Sequence, residues 1–129
     1  MSVQFVDSNN LKCKELLNDD QIRFAGIINK LGNLIAGGFK DGISPFMPEE
    51  HLRMMYMQMV LEISMRKDFD ASLGEINYIT ALRNKALMIS LPIDDHLLLI
   101  SAEPTAITER LITKALRVFG KIGKSTSNV

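Results

Sequence analysis

The apolar positions in the first third of the chain form two short runs around a turn. The first run covers residues 22–28, and the second begins at residue 33 and is broken by Gly37 and Gly38. Asn29 and Gly32 lie between the runs, and both residue types tolerate the positive φ of a tight reversal. The pattern predicts a β-hairpin over residues 22–41, around which the rest of the fold is built. The paired glycines indicate a bulge or the close approach of another backbone.

The periodicity of the remaining chain predicts three helices and three more strands. Ser8, Asn9 and Asn10 are candidate caps of a short first helix, and residues 1–7 before them are expected to be loosely held. The expected helices cover residues 11–18, 48–68 and 106 to 120 or 122, with Thr105 or Thr108 as caps of the last. The expected strands cover residues 76–82, 86–91 and 96–102, after a charged connector at 66–74. Strands that are apolar on both faces require helices on both faces of the sheet.

The long helix has two opposed apolar faces at 100° per residue. The face expected to pack on the sheet carries Leu52, Met55, Tyr56, Met59, Val60 and Ile63. The opposite face carries Met54, Met57, Leu61 and Met65. Since soluble monomers rarely leave such a patch in water, the second face is predicted to be an interface, and a homodimer covers it most simply.

Length and charge exclude several classes of protein. The 129 residues fit one domain, with an expected core at about 8–122 and a flexible tail at 123–129. Basic and acidic residues number 15 each, so no global charge demands nucleic acid or an anionic membrane. Cys13 stands alone, which excludes an internal disulfide and fits a cytoplasmic protein. No signal peptide or membrane span is expected, because no apolar run approaches ~18 residues.

Candidate chemistry is sparse along the chain. His51 and His96 lie beside carboxylates, but such histidines are usually solvated and no spaced partner supports a metal site. No nucleophile, base and orienting group can be assembled, so neither catalysis nor a cofactor is expected. A basic stripe on the last helix consists of Arg110, Lys114, Arg117 and Lys121. The stripe is either a solvated face or a site for an anionic partner, namely an acidic protein, nucleic acid or a membrane. The absence of an aromatic platform favours the solvated face, and nucleic acid is not expected as a partner.

The segment GIINKLGNLI at residues 26–35 resembles the first hairpin of roadblock/dynein-light-chain domains. The order α-β-β-α-β-β-β-α resembles the same family over residues 8–122, and profilin-like, longin-like and PAS-type folds share related sheets. The resemblance implies an α+β fold with a five-stranded antiparallel sheet, the long helix on one face and the two terminal helices on the other. Residues 65–74 also resemble a small, uncharacterised archaeal family.

The roadblock resemblance further implies a homodimer that pairs the long helices and extends the sheet edge to edge. It implies a non-catalytic adaptor or regulator in intracellular signalling, with a small GTPase as a possible partner. The alternative is a PAS-like or profilin-like sensor that binds a small molecule between the sheet and the long helix. A buried cavity with convergent polar groups would favour the sensor, and a flat apolar helix surface would favour the scaffold.

Overall fold

The structure is a computed structural model, and it describes residues 2–120 of the chain. Ten elements follow one another over these residues. They are α1 (Val3–Leu17), β1 (Ile22–Ile28), β2 (Leu34–Phe39), α2 (Glu49–Arg66), a 3-10 turn (Lys67–Phe69), α3 (Asp70–Leu73), β3 (Ile79–Leu82), β4 (Leu87–Ile93), β5 (His96–Ala102) and α4 (Thr108–Phe119).

The five strands form one antiparallel sheet in the order β2-β1-β5-β4-β3. One core cluster joins α1 and α4 to one face of this sheet, through residues such as Leu16, Ile100 and Leu111. The other cluster joins α2 to the opposite face, through residues such as Phe24 and Tyr56. The predicted layers, with the long helix on one face and the terminal helices on the other, are confirmed.

Helix α1 begins well before the predicted start at residue 11. Ser2 is its N-cap, and the Ser2 hydroxyl accepts a hydrogen bond from the Phe5 N–H at 3.1 Å. Residues 3–7 are therefore helical rather than loosely held. The expected caps lie inside the helix, where the Asn9 side chain donates to the Phe5 carbonyl at 2.8 Å. The predicted start was wrong because Ser2, a residue of the same capping class as Ser8, lies earlier in the chain and caps the helix there.

The hairpin follows the prediction, but β2 runs on through both glycines to Phe39. Gly37 has φ +79°, and a Cβ there would collide with the Ala25 carbonyl oxygen of β1 and lie 2.9 Å from Cys13 Sγ. The close backbone approach indicated by the glycines is thus present. The bulge lies nearby, where the register shifts between Ile27 and Ile28.

Strand β3 is three residues shorter at its start than the predicted 76–82. The register pairs Ile79 with Ser90, so Asn77 falls opposite Pro92. Proline has no N–H to donate, and the ladder between β3 and β4 stops short of it. Strand β4 itself continues through Pro92 to Ile93, and the predicted turn at 92–95 contracts to Asp94 and Asp95, with Asp94 at φ 54°.

Two further predictions on the helices were wrong in detail. The connector expected at 66–74 contains the 3-10 turn and α3. Helix α4 has Ile107 as its N-cap with no side-chain cap, so neither Thr105 nor Thr108 caps it. Ile107 is 62% exposed, whereas Ile112 is buried. Residues 121–129, including the predicted tail, lie outside the described residues.

Candidate functional site: the outer face of α2 and the free sheet edge

Helix α2 buries one face and leaves the other in solvent. Leu52, Tyr56 and Ile63 are buried against the sheet, and the Tyr56 ring stacks on Phe24 with centroids 5.9 Å apart. Burial, aided by the charge of Glu49, raises the pKa of Tyr56. The predicted inner methionines, Met55 and Met59, are partly buried and pack against this cluster. The 3.6-residue period therefore assigned the inner face correctly.

The predicted outer stripe is exposed at all four positions. The exposed fractions are 60% for Met54, 37% for Met57, 51% for Leu61 and 71% for Met65. Met57 is the least exposed because the β1–β2 turn lies against it. A Cβ added to Gly32 in that turn would come within 3.1 Å of the Met57 Cα. Met57 thus flanks the stripe, and Met54, Leu61 and Met65 form its open part.

Further exposed apolar side chains follow α2 along the chain, which the sequence did not lead us to expect. Phe69 and Leu73 in the segment after α2 are 62% and 83% exposed. Tyr78 and Leu82, which flank and end β3, are 45% and 70% exposed. The available signal was two large apolar side chains inside a charged connector, which is unusual for a plain solvated loop.

The two edges of the sheet differ in what lies against them. At the β2 edge, helix α1 packs along the strand, and Asn10 Oδ1 accepts a hydrogen bond from the Gly37 N–H at 2.7 Å. At the β3 edge, within residues 2–120, the strand pairs with β4 and has no strand on its other side. An unpaired edge is a template for another strand. The open edge and the apolar stripe of α2 lie on neighbouring elements.

A groove of about 1150 Å³ lies between α2 and the sheet. Its helix side includes His51, Met55 and Met59, and its sheet side includes Met88 and Ala81 of β4 and β3. The groove is mostly apolar, and its outer rim reaches Met54, Leu61 and Met65. The groove and the stripe therefore form one continuous surface.

Basic side chains stand at the end of the groove where α2 begins. Arg23 there pairs with Glu103 at 3.5 Å, and its guanidinium lies 4.3 Å from the centroid of the Phe46 ring. Lys85 lies 5.9 Å from the same ring, and Arg83 also lines this end. Apolar walls with a cationic end suit a partner that is apolar with some negative charge.

The first two residues of the predicted basic stripe on α4, Arg110 and Lys114, are engaged within the chain. Asp19 is nearly buried, and both its oxygens accept hydrogen bonds from Arg110, at 2.6 and 3.0 Å. Lys114 contacts the same carboxylate at 3.3 Å. The hydrogen bond from Arg110 holds the pKa of Asp19 well below its usual range, against the opposing effect of burial. Arg117 makes no ion pair within residues 2–120, and Lys121 lies outside the described residues.

The candidate metal ligands and nucleophile do not come together. His96 packs against the Phe5 ring with centroids 5.0 Å apart, and His51 is exposed at the groove. Cys13 is buried, and burial raises the pKa of its thiol to about 12. Across the part of the chain that the structure describes, no three His, Cys, Asp or Glu side chains could hold a metal ion together. No helix among the same residues is long and apolar enough to cross a membrane.

Comparison with known proteins gives a family and a fold. A model for a family of unknown function, DUF6659, matches residues 1–129. A search of curated proteins finds no match. Among solved structures, the chain is similar to the roadblock/LC7 domain from Streptomyces avermitilis, at 10% identity and a TM-score of 0.67, over 92% of this chain and 97% of that one.

Two gliding-protein structures are similar as well. The gliding protein MglB from Thermus thermophilus has 14% identity and a TM-score of 0.74, over 100% of this chain and 96% of that one. An MglB in a tetrameric arrangement has 16% identity and a TM-score of 0.73, over 92% and 87%. At such identities the likeness establishes the fold, and it confirms the roadblock-type fold implied by the sequence. The resemblance of residues 65–74 to an archaeal family stays a prediction.

Proposed function

The chain belongs to DUF6659, a family of unknown function, and we propose that it is a non-catalytic, homodimeric regulatory or scaffold domain with a roadblock-type fold. It acts by protein–protein interaction in intracellular signalling, and a small GTPase is the class of partner that the roadblock resemblance suggests. The lone, buried Cys13 is compatible with the reducing cytoplasm as its compartment.

The observation that carries the proposal is the open stripe of α2 beside a free sheet edge. Met54, Leu61 and Met65 are each more than half exposed. An isologous contact lets one such stripe cover its own copy. Each buried Met or Leu side chain would contribute about 1.5–3 kcal/mol of transfer free energy, before the cost of association is subtracted. A strand edge on the neighbouring element adds backbone hydrogen-bonding groups that a second copy can satisfy.

The structural comparisons support self-assembly by analogy. One similar MglB is described in a tetrameric arrangement, and another is described as a gliding protein. These descriptions concern those proteins. They are the reason to test first whether this chain, which has the same fold, also assembles with its own copies.

The test is the solution mass of three proteins measured by light scattering. The parent should have twice the 14.5 kDa of the chain. Leu61→Asp should be monomeric, since it would bury an unpaired charge at the centre of the interface. Leu61 is a better position than Met57, because Met57 also contacts the β1–β2 turn.

Leu11→Asp is the matched control. Leu11 is 69% exposed, but it lies on α1, on the opposite side of the sheet from α2. This variant should remain dimeric. A parent that is monomeric at tens of micromolar, or dissociation by the Leu11 change alone, would refute the proposed interface.

The groove supports the sensor as a second candidate. At about 1150 Å³ and mostly apolar, it has room for a small molecule. Native mass spectrometry of the purified protein distinguishes the two functions. A bound small molecule that stays with the Leu61→Asp monomer favours the sensor, and a dimer without added mass favours the scaffold.

A further inference from the structure

The β3–β4 turn is basic, and no acidic side chain within residues 2–120 forms an ion pair with it. Arg83 and Lys85 flank Asn84 in this turn, and the nearest residues along the chain on either side are uncharged. Lys85 does lie 5.9 Å from the Phe46 ring centroid. The turn is at the end of the groove where α2 begins, because it lines the groove together with Phe46 and His51.

The segment before β3 is acidic, and its carboxylates form no ion pairs within the described part of the chain. Asp68, Asp70 and Glu75 lie between the end of α2 and the start of β3, against one base, Lys67, so the segment is acidic on balance. The Asp70 Oδ1 is buried and has no hydrogen-bond partner among the described residues. A carboxylate oxygen left in this way is costly unless something completes its surroundings.

The acidic segment and the basic turn lie at opposite ends of β3. Helix α2 follows the loop after Phe39, which pairs with Phe24 near the start of β1. Further along, at Met57, the helix reaches the β1–β2 turn at the other end of the sheet. It therefore runs away from the basic turn, and the acidic segment begins where α2 ends. The four residues of β3 alone span about 13 Å at ~3.3 Å per residue. This exceeds the distance of an ion pair, so Glu75 cannot neutralise Lys85 within one chain.

A two-fold axis near the middle of β3 removes this separation. In a two-fold antiparallel pair one residue must lie opposite its own copy, because directly opposed residues point to the same face of the sheet. With Thr80, in the middle of β3, at this position, residue 75 of one copy lies opposite residue 85 of the other. The same operation brings residue 77 opposite Arg83. Each dimer contains two such meetings of opposite charge.

We propose that the acidic segment of each copy docks through Glu75, its last acidic residue, on the Arg83–Lys85 turn of the partner copy. The inference rests on the proposed homodimer and specifies its register. Opposite charges at both ends of the paired edge favour the antiparallel arrangement. A shifted register would lose these contacts, and a parallel one would bring like charges together. The contact also makes dimerisation weaken as the salt concentration rises.

Two single charge reversals at exposed positions test the proposal, because they should change dimerisation without changing the stability of the folded monomer. Lys85→Glu places two acids in contact in its homodimer, and Glu75→Lys places two bases in contact in its own. Each change should raise the dimer dissociation constant roughly tenfold at low salt, since each dimer has two exposed contacts. Both positions are exposed, so neither change should alter the thermal midpoint at which the monomer itself unfolds.

Mixing the two variants is the decisive step. In the heterodimer, both contacts pair a lysine with a glutamate, so it should form in preference to either homodimer. With each homodimer weakened about tenfold, the heterodimer should reach about nine-tenths of all dimers in an equimolar mixture, against half by chance. With one of the two variants uniformly labelled with ¹⁵N, native mass spectrometry separates the heterodimer from both homodimers and reads this fraction directly.

Lys14→Glu is the control. Lys14 is exposed and lies on α1, which packs on the opposite face of the sheet from α2. It should dimerise like the parent and mix statistically with it. A statistical mixture of the Lys85 and Glu75 variants, with parent-like dissociation constants, would overturn the charge contact and leave the homodimer standing. A monomeric parent would instead refute the proposed function, so the two failures are distinguishable.

Discussion

Removing the negative charge of Asp19 should destabilise the monomer strongly and in a pH-dependent way. Its side chain is 7% exposed and is held by Arg110 at 2.6 and 3.0 Å, by Lys114 at 3.3 Å and by the Gln21 N–H at 3.0 Å. These contacts join the loop before β1 to α4. Asp19→Asn keeps the shape of the side chain and one oxygen acceptor but loses the charge.

The expected loss is about 2–3 kcal/mol at pH 7. Breaking a fully buried ion pair costs about 3–5 kcal/mol. Arg110 is 44% exposed, so solvent compensates part of this cost and the figure is reduced accordingly. For a domain of this size the loss lowers the thermal midpoint by about 8–12 °C. Asp20→Asn, at the exposed neighbouring residue, should change stability by less than about 0.5 kcal/mol.

The pH dependence identifies the charge as the cause. The folded-state pKa of Asp19 lies below the ordinary value of 3.8, so its contribution is fully present above that pH and is lost as pH falls through the folded pKa. Urea unfolding at pH 7 and near pH 2.5 should therefore give a large difference between parent and Asp19→Asn at pH 7 and a smaller one in acid. An equal difference at both pH values, or one under about 0.5 kcal/mol at pH 7, would refute the reasoning.

Two further predictions follow from the backbone of the hairpin and from the absence of an assembled catalytic group among the described residues. Gly37→Ala should destabilise by about 2 kcal/mol or more in urea unfolding, because its Cβ would collide with the Ala25 carbonyl, whereas Gly42→Ala, at a similar φ of +83° but in open space, should cost only about 1 kcal/mol. Equal costs would show that the close approach of β1 and β2 is not the constraint. Pure protein should give background rates with esterase, phosphatase and nucleotide substrates, and turnover lost on changing His51 or Cys13 would contradict the non-catalytic proposal.

The order of elements and both faces of α2 were readable from the sequence because they depend on local periodicity. Leu52, Tyr56 and Ile63 recur at helical spacing, and so do Leu61 and Met65 on the other side. Periodicity identifies a face, and α2 shows both faces as expected. The bounds of β5 were also predicted correctly, because an apolar run follows His96 directly after a turn and ends at Ala102.

The parts that were missed depend on contacts between distant residues. Asp19 and Arg110 are 91 positions apart, so the stripe on α4 looked solvated although its first members are paired. Strand β3 starts late because of Pro92, which the register places opposite Asn77. The β2 edge is covered by α1, whose Asn10 bonds to the strand, and the β3 edge is therefore the free one. No local sequence pattern indicates a contact between residues so far apart in the chain.

Chemical cross-linking at position 61 reports directly whether the outer face of α2 covers its own copy. Leu61→Cys and Leu11→Cys each add one exposed thiol, while the native Cys13 is buried and unreactive. A short bis-maleimide should convert the Leu61→Cys protein to a covalent dimer at low micromolar concentration and leave Leu11→Cys monomeric. Cross-linking that is equal in both proteins, or absent from both while the parent still has the mass of a dimer, would place the interface elsewhere and contradict the account.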